Sequence, residues 1–357
     1  MEIRKFRSIG LMSGTSCDGL DICYCHFTWN GEKWEFEILA GETIPYSSEW
    51  IGRLKAAHEL NGRDLIIFHK ELGRFFGIQT KKFIQRHHIL KLDFIASHGH
   101  TVYHEPKLGL NFQAGDGHCI AAETACSTVF DFRSLDIALG GQGAPFVPIG
   151  DRYLFSDYDA CLNLGGISNI SFERAGQIFA FDISPFNILL NNFSQRMGYP
   201  YDDKGQLARS GSVNKDVVEQ FNKLDYFKRS SPKSLSRELI DSEYGSVLEN
   251  HTLSEMDWLR SLVEHYVIQI SDVLENNHIK NILLSGGGVY NSFFVEELSK
   301  RTNTQLVIPD KMTIDFKEAL LFAFLGCLKK ADLPNVFSSV TGASRDSISG
   351  LEVRYNA

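Results

Sequence analysis

The segment from Gly10 to Asp21 has the residue types of a phosphate site. Its sequence, GLMSGTSCDGLD, combines glycines, hydroxyl side chains and two aspartates. Glycine lets a backbone approach a ligand closely, hydroxyls can donate to phosphate oxygens, and carboxylates hold magnesium directly or through water. No Gly-Lys-Ser/Thr sequence follows, so this is not a Walker-type loop; a polar hairpin without a ligand is the alternative. The candidate ligand contacts, with Asp18 as the candidate magnesium ligand, are Gly10, Ser13, Gly14, Thr15, Ser16, Asp18, Gly19 and Asp21.

A second segment places glycines between a strand and a helix. Residues 280–285 are apolar enough for a buried strand, Gly286 to Gly288 follow, and the apolar spacing predicts a helix over 291–300. Strand, glycines and helix in this order form a turn at which α/β proteins approach a nucleotide. Three glycines alone are also a simple helix entry.

The elements that must position these segments occur twice along the chain. RSIGLM, LDICYCHFTW and WEFEILAGETI read as strands of the first half, and residues 160–164, 169–173 and 178–182 read as strands of the second. In each half a Gly/Ser turn joins the first two strands, and a helical stretch follows, over 47–86 and 187–197. We interpret this as a duplication that places two turns on either side of one polyphosphate-binding cleft. Two unrelated hairpins are the alternative.

Length and composition exclude several classes of function. The 357 residues are enough for two domains, and 43% hydrophobic with 22% charged residues is ordinary for a soluble globular protein. A net charge of −8 argues against a nucleic-acid partner. The most apolar run, residues 319–328, is too short to span a membrane. The N-terminus lacks signal-peptide features, and seven cysteines form no CxxC pair, so we expect a cytoplasmic protein with reduced thiols.

Six motifs together resemble one family. They are GLMSGTSCDGLD, SHGHTVYHEP at 97–106, residues 131–133 with 136–148, LNLGGISN at 162–169, SGGG at 285–288 with Asn291, and VTGAS at 340–344. Their order and spacing resemble the anhydro-N-acetylmuramic acid kinases, over nearly the whole chain. The resemblance implies the sugar kinase, actin and heat-shock ATPase superfamily, and hence an α/β, duplicated actin-like (ribonuclease H-like) two-domain fold with ATP in the cleft between the domains. We place the domains at 1–129 plus 330–357 and at 130–329.

The resemblance also implies a reaction. With ATP and Mg²⁺, such an enzyme opens the 1,6-anhydro bridge of its sugar with water and phosphorylates O6, giving N-acetylmuramic acid 6-phosphate in cell-wall (peptidoglycan) recycling. Family members commonly form homodimers. Asp182 matches the catalytic base; without the resemblance, an aspartate at a strand end is more often a turn cap or a surface carboxylate.

Further roles follow from the same matches. Thr101, Arg133 and Glu318 match sugar contacts, and Arg133 has the donor geometry for a carboxylate. An interdomain salt bridge is the alternative for Arg133, and a solvated helix position is the alternative for Glu318. The remaining nucleotide contacts are expected at Gly165, Gly166, Gly286, Gly287, Gly288 and Asn291.

The chain departs from the family pattern in several places. Ser184 and Phe186 replace two glycines of the usual DxGPGN motif around the base, which predicts a different loop and leaves the exact sugar open. His100 stands where glutamine is usual, and in residues 232–238 a serine precedes the arginine where glycine is common. The arginine-rich stretch after Phe132 is also thinned.

Other functions remain open from the residues alone. A kinase of another (anhydro)sugar and a non-catalytic actin-like protein that binds ATP as a switch are two of them. A zinc hydrolase is a third, because histidines two apart on a strand share a face. Its candidate ligands are His98, His100, His104, Asp116 and His118.

Overall fold

The computed structural model describes residues 4–231 and 233–355. The chain divides into two compact units: unit 1 consists of residues 1–154 and 316–357, and unit 2 of residues 155–315. These boundaries differ from the predicted ones at 129/130 and 329/330. The physical reason is side-chain packing within unit 1, where the Phe324 ring lies 5.4 Å from that of Phe27. The Lys317 ammonium likewise lies 2.7 Å from the Asp151 carboxylate.

The strands of the described residues form two sheets. They are β1 (Arg4–Ser13), β2 (Gly19–Trp29), β3 (Trp34–Pro45), β4 (Phe94–Glu105), β5 (Leu110–Ala114), β6 (Thr128–Phe130), β7 (Ala160–Leu164), β8 (Ile167–Arg174), β9 (Gln177–Pro185), β10 (Asn281–Ser285), β11 (Gln305–Val307) and β12 (Leu351–Val353).

The α-helices lie between and after these strands. They are α1 (Ser48–Lys55), α2 (Gly62–Arg86), α3 (Gly117–Thr124), α4 (Ser134–Ala138), α5 (Val147–Leu154), α6 (Asn187–Arg196), α7 (Gln206–Ser210), α8 (Lys215–Asn222), α9 (Asp225–Lys228), α10 (Arg237–Asn250), α11 (Glu255–Asn276), α12 (Ser292–Arg301), α13 (Lys311–Lys330) and α14 (Ser338–Thr341). Short 3₁₀ turns occupy Ala57–Glu59, Pro106–Leu108, Asp203–Gly205 and Gly287–Tyr290. Among the described residues, no helix is long and apolar enough to cross a membrane.

The two sheets repeat one topology. In unit 1 the order is β3-β2-β1-β4-β6, with β12 beyond β6 and β5 paired to β4; in unit 2 it is β9-β8-β7-β10-β11. In both, the first three strands in sequence pair antiparallel. The two strands that continue the sheet beyond the first, β4 and β6 in unit 1 and β10 and β11 in unit 2, run parallel to it. The duplicated α/β fold inferred from the two Gly/Ser turns is therefore confirmed.

Each unit has its own hydrophobic core. In unit 1, α2 buries Phe68, Leu72, Phe76 and Phe83, a helical spacing that forms one apolar face against the sheet. The predicted helix over 47–86 is interrupted after α1, and α2 begins anew where Asn61 caps it by accepting from the Asp64 N–H. In unit 2 the core lies between the sheet and a set of helices centred on α11.

Candidate active site

In unit 1, the turn between β1 and β2 begins with a buried hydroxyl. Ser13 accepts a hydrogen bond from the Tyr46 hydroxyl at 2.7 Å, and its own oxygen lies 3.0 Å from His100 Nδ1. Ser13 is 1% exposed. Its side chain links β1 to β4, and this link explains the buried hydroxyl without a bound phosphate.

The tip of the same turn is open to solvent. Thr15, Ser16 and Asp18 are exposed, and the Ser16 hydroxyl donates to Asp18 Oδ1 at 2.9 Å. The Cys17 N–H donates to the Gly14 carbonyl at 3.2 Å and closes the turn. Of the predicted segment, this tip is therefore the part that presents hydroxyls and a carboxylate to a ligand.

Two glycines of the segment have a packing role instead. A Cβ on Gly10 would overlap the backbone carbonyl of Ala319 in α13. A Cβ on Gly19 would lie 2.7 Å from Thr43 and 2.8 Å from the Ile44 carbonyl of β3. Both glycines are buried within their strands. Neighbouring backbone occupies the side on which each glycine would carry a Cβ, and their contact with the nucleotide stays a prediction.

Asp21 also lies within a strand rather than at the tip. Its Oδ1 accepts a hydrogen bond from the Thr43 hydroxyl at 2.5 Å across to β3. This bond engages part of the carboxylate that the sequence offered as a ligand contact.

Arg133 is held rigidly at the start of α4. Its Nε and Nη2 lie 3.1 and 2.9 Å from His98 Nε2, and Nη1 donates to the Gly143 carbonyl at 2.5 Å. Its guanidinium also lies 5.1 Å from the centre of the Phe146 ring. Burial lowers the pKa of Arg133 to about 10, against the opposing field of Glu318. The group stays positively charged at neutral pH, so it can attract an anionic substrate group.

Glu318 faces the same region of unit 1 from α13. Desolvation by surrounding protein raises its pKa, and the charges of Arg133 and Lys317 oppose that rise. The residue nonetheless has an exposed surface. A carboxylate that solvent reaches can also be reached by a sugar hydroxyl. Thr101, on β4, is half-buried and accepts from Gln113 Nε2 at 3.4 Å.

The three candidate histidines on β4 bond to different partners, whereas Asp116 Oδ1 lies 3.5 Å from His118 Nδ1. The Nε2 atom of His98 faces the Arg133 guanidinium, whose positive charge would repel a metal ion there. Asp116 caps α3 and pairs with Lys70. Among the described residues, no group of three His, Cys, Asp or Glu side chains is arranged to hold a metal ion. The zinc-hydrolase alternative built on His98, His100, His104, Asp116 and His118 therefore lacks its ligand geometry.

In unit 2, Asp182 lies on β9 with one carboxylate oxygen fixed and the other available. Oδ2 accepts from the Leu235 N–H at 2.9 Å. Oδ1 has no hydrogen-bond partner among residues 4–231 and 233–355. Burial raises the pKa of Asp182, and the Leu235 N–H opposes that rise. A carboxylate with a raised pKa and a free oxygen is suited to accept a proton.

The glycine turn after β10 contains two positions that leave no room for a side chain. Gly286 has a φ of +80°, and a Cβ there would overlap Asn163 Oδ1. A Cβ on Gly288 would overlap the Phe186 ring, whereas Gly287 is open, with nothing within 4 Å of its added Cβ. Asn291 caps α12 by accepting from the Phe294 N–H at 3.0 Å.

A pocket of about 530 Å³ opens beside this turn within unit 2. Its size is that of small-molecule sites. It offers two partly exposed tyrosines, two lysines and several amide groups, besides the glycines. The lining residues are Asn187, Leu190, Asn191, Tyr201, Asp202, Asp203, Lys204, Gly287, Gly288, Tyr290, Asn291 and Lys311. The glycines, Asn187 and Asn291 belong to sequence motifs; the other walls come from loops and helix faces that no motif marks.

Comparison with known proteins places the chain. A family model described as anhydro-N-acetylmuramic acid kinase matches residues 6–354. The enzyme of that name from Sulfurimonas denitrificans is 33% identical over 366 residues, covering 96% of this chain and 98% of that protein. The chain belongs to the anhydro-N-acetylmuramic acid kinase family. The family member from Aliivibrio fischeri is 34% identical over 367 residues, with coverage of 96% and 98%.

Solved structures show a more distant similarity to this family member. Component A of the (R)-2-hydroxyglutaryl-CoA dehydratase of Acidaminococcus fermentans is 13% identical, with a TM-score of 0.45, over 92% of this chain and 99% of that one.

This member of the kinase family accommodates both departures next to Asp182, the predicted base. Ser184 is buried, and its oxygen lies 2.9 Å from that of Ser168 on β8. Phe186 is fully buried, with its ring 5.5 Å from Tyr266 and 4.8 Å from Phe294. Neither position has a positive φ, so this loop does not depend on glycine there. Both side chains point into unit 2.

The turn between β7 and β8 carries the remaining predicted contacts. Gly165 and Gly166 precede β8, and their carbonyls accept from the N–H groups at the start of α6. The Gly166 carbonyl accepts from Phe186 at 2.8 Å and from Ile188 at 3.1 Å. Gly166 is exposed. In unit 2, these contacts connect the strand end that carries Asp182 to a glycine turn.

Proposed function

We propose that this protein is an ATP-dependent kinase that opens 1,6-anhydro-N-acetylmuramic acid with water and phosphorylates it to N-acetylmuramic acid 6-phosphate. Family membership supports the reaction class. The observation that carries the proposal is Asp182, a half-buried carboxylate with one oxygen anchored to Leu235 and the other free to accept a proton. A retained base of this geometry favours catalysis over a nucleotide-binding switch.

The base would act on water at the anomeric carbon. Asp182 Oδ1 takes a proton from the water as its oxygen bonds to that carbon, and the bond from the carbon to the bridging O6 breaks. O6 then bonds to the γ-phosphorus of ATP in line with the departing ADP oxygen. Anchoring of Oδ2 reduces the motions available to the base, so less ordering is needed when the substrate binds.

The chain offers suitable groups for binding ATP and Mg²⁺. The pocket beside Gly287 has the volume and the aromatic and amide lining for a nucleoside. The exposed tip with Thr15, Ser16 and Asp18 offers oxygen atoms of the kind that Mg²⁺ prefers. When bound, Mg²⁺ neutralises charge on the phosphates. Asp18 as its ligand remains a proposal.

The sugar would be held by charged groups of unit 1. Arg133 is fixed, charged and fork-shaped, which suits the lactyl carboxylate. Glu318 and Thr101 would contact sugar hydroxyls. The reaction needs base, nucleotide and sugar together; that both units act on one substrate in the predicted cleft remains a prediction of the sequence. A cytoplasmic homodimer in peptidoglycan recycling is part of the same proposal.

A mass-spectrometric assay tests the function directly. The protein is incubated with ATP, Mg²⁺ and the anhydro-sugar in ¹⁸O-labelled water. A product heavier by one phosphate and one labelled water supports the proposal, whereas phosphate without water means an ordinary sugar kinase. No product from this sugar, with turnover of another anhydro-sugar, would reassign the substrate.

The variant that tests the role of the base is Asp182→Asn. We expect turnover to fall by about 10²–10⁴-fold, the usual contribution of a general base. ATP affinity, measured by calorimetry, should stay within about twofold of wild type. Near-normal turnover would remove Asp182 from the role of base.

A further inference from the structure

The outer edge of β9 is covered at the catalytic position. β9 is the last strand in the sheet order of unit 2, so one of its edges has no neighbouring strand among the described residues. At Asp182 the backbone N–H donates to the Lys233 carbonyl at 3.1 Å, and the backbone carbonyl accepts from the Tyr226 hydroxyl at 2.6 Å. We call residues 233–235 the strap, because they cross this edge between α9 and α10.

The strap makes a second contact, with the carboxylate itself. Two residues beyond Lys233, the Leu235 N–H donates to Asp182 Oδ2. Backbone and side chain of the base are thus both fixed by one short segment. A backbone N–H held by its neighbours positions an oxygen more tightly than a flexible side-chain donor does, because it has no rotamers to lose.

Both ends of the strap are anchored. On one side, Lys233 Nζ lies 4.6 Å from the centre of the Tyr226 ring and 3.4 Å from the Tyr226 carbonyl. On the other, Ser236 caps α10 by accepting from the Leu239 N–H at 3.2 Å, so the helix begins directly after Leu235. This serine stands where the family pattern commonly has glycine, and it provides a cap that glycine lacks.

We propose that the strap and Tyr226 are positioning elements for the catalytic base: the Leu235 N–H selects Oδ2 as the anchored oxygen and leaves Oδ1 for the water, while Tyr226 fixes the backbone of Asp182. The inference rests on the proposed function only where it concerns turnover. The geometry of the carboxylate stands independently of the substrate.

The charged and titratable side chains around Asp182 do not position its carboxylate. Burial raises the pKa of Tyr226, so its hydroxyl remains a donor. Burial and Arg229 lower the pKa of Lys233, whose ammonium faces the Tyr226 ring. Glu243 accepts from the Tyr226 backbone N–H at 2.9 Å and pairs with Arg229. Among the described residues, the hydrogen bond to the Asp182 carboxylate comes from Leu235.

The test removes one N–H and keeps a matched control. Leu235→Pro deletes the donor, and Leu235→Ala keeps the donor while losing the same buried side chain. Loss of the donor favours the protonated carboxyl, so in Leu235→Pro the acid midpoint of kcat/KM should move up by about 0.5–1 pH unit relative to Leu235→Ala. Equal midpoints for the two variants would overturn the proposal.

A readout without turnover separates this inference from the proposed function. In protein carrying ¹³C-labelled aspartate carboxyls, the Asp182 resonance is assigned by its absence in Asp182→Asn, and its titration is followed by NMR. A raised midpoint in Leu235→Pro relative to Leu235→Ala supports the strap even if no sugar is turned over. An unchanged midpoint refutes it even if the kinase assay succeeds.

Tyr226→Phe covers the case in which Leu235→Pro does not fold. This change removes only the hydroxyl that bonds the Asp182 carbonyl. We expect kcat to fall about fivefold, the effect of one ordinary hydrogen bond, with KM for the sugar unchanged. A KM increase with unchanged kcat would mean that Tyr226 contacts substrate and does not position the base.

Discussion

Phe186→Ala should destabilise unit 2 without weakening sugar binding. Phe186 is fully buried, and its ring packs against Tyr266 and Phe294 at centroid distances of 5.5 and 4.8 Å. Truncating such a side chain costs about 3–5 kcal/mol, as lost transfer free energy plus the cavity left behind. Three kcal/mol is already more than about a hundredfold in the folding equilibrium.

Urea denaturation followed by tryptophan fluorescence measures this cost. Trp258, in the same core, reports on unit 2. The control is Ile308→Ala, whose side chain is 49% exposed and whose loss should cost about 1 kcal/mol. KM for the sugar, measured well below the transition, should match wild type. A loss of stability under about 1 kcal/mol combined with a raised KM would refute the reasoning, because it would place the ring at the substrate.

Three further predictions follow from the site. First, activity should be complete well above the pKa of Asp182 and fall as pH drops through it, because a base must be ionised and burial raises this pKa above the ordinary 3.8. The same burial disfavours the ionised form, so Asp182→Asn should increase the free energy of unfolding at neutral pH. Unfolding in urea measures this change, and a decrease would contradict the reasoning. Second, Arg133→Lys loses the forked guanidinium that bonds two acceptors, so KM for the sugar should rise about 10–100-fold while ATP affinity is unchanged. Steady-state kinetics measures KM, and calorimetry measures ATP affinity. An unchanged KM would leave Arg133 a structural residue. Third, Gly286→Ala should weaken ATP binding at least about fivefold, because its φ of +80° and the nearby Asn163 Oδ1 leave no room for a side chain. The control is Gly176→Ala, in the turn between β8 and β9, where φ is +79° but the space is open and the residue does not line the pocket; it should stay within about twofold. Equal effects would argue against the turn after β10 as a nucleotide contact.

Much of the architecture was accessible from the sequence because it rests on local patterns. Alternating apolar residues and Gly/Ser turns marked both antiparallel meanders, and their repetition predicted the duplication that the two sheet orders confirm. The family motifs indicated the kinase class, which the comparisons confirm, and led to the prediction of Asp182 as the base. These features depend on residues that are close together in the chain.

Features that depend on distant residues were not accessible. Composition treats Gly10 and Gly14 alike, yet Gly10 faces a carbonyl of α13 that is hundreds of positions away in the sequence. The strap contacts Asp182 from 53 positions further along, in a stretch without periodicity. The loop from Tyr201 to Lys204 lines the nucleoside-sized pocket without any motif. Tertiary packing, which no local pattern encodes, decides each of these.

The discontinuity of unit 1 has a consequence for biosynthesis. Unit 2 is one continuous stretch, and its core consists of residues between Ala160 and Ile314. Unit 1 lacks Phe324 and the strand β12 until the segment that follows unit 2 has left the ribosome. Since domains fold as they emerge, we expect unit 2 to fold first on the nascent chain. The sheet of unit 1 is then still incomplete and exposes Phe27, because residues 316–357 have not yet been added. Early termination should therefore release chains with a folded second unit and an aggregation-prone first one.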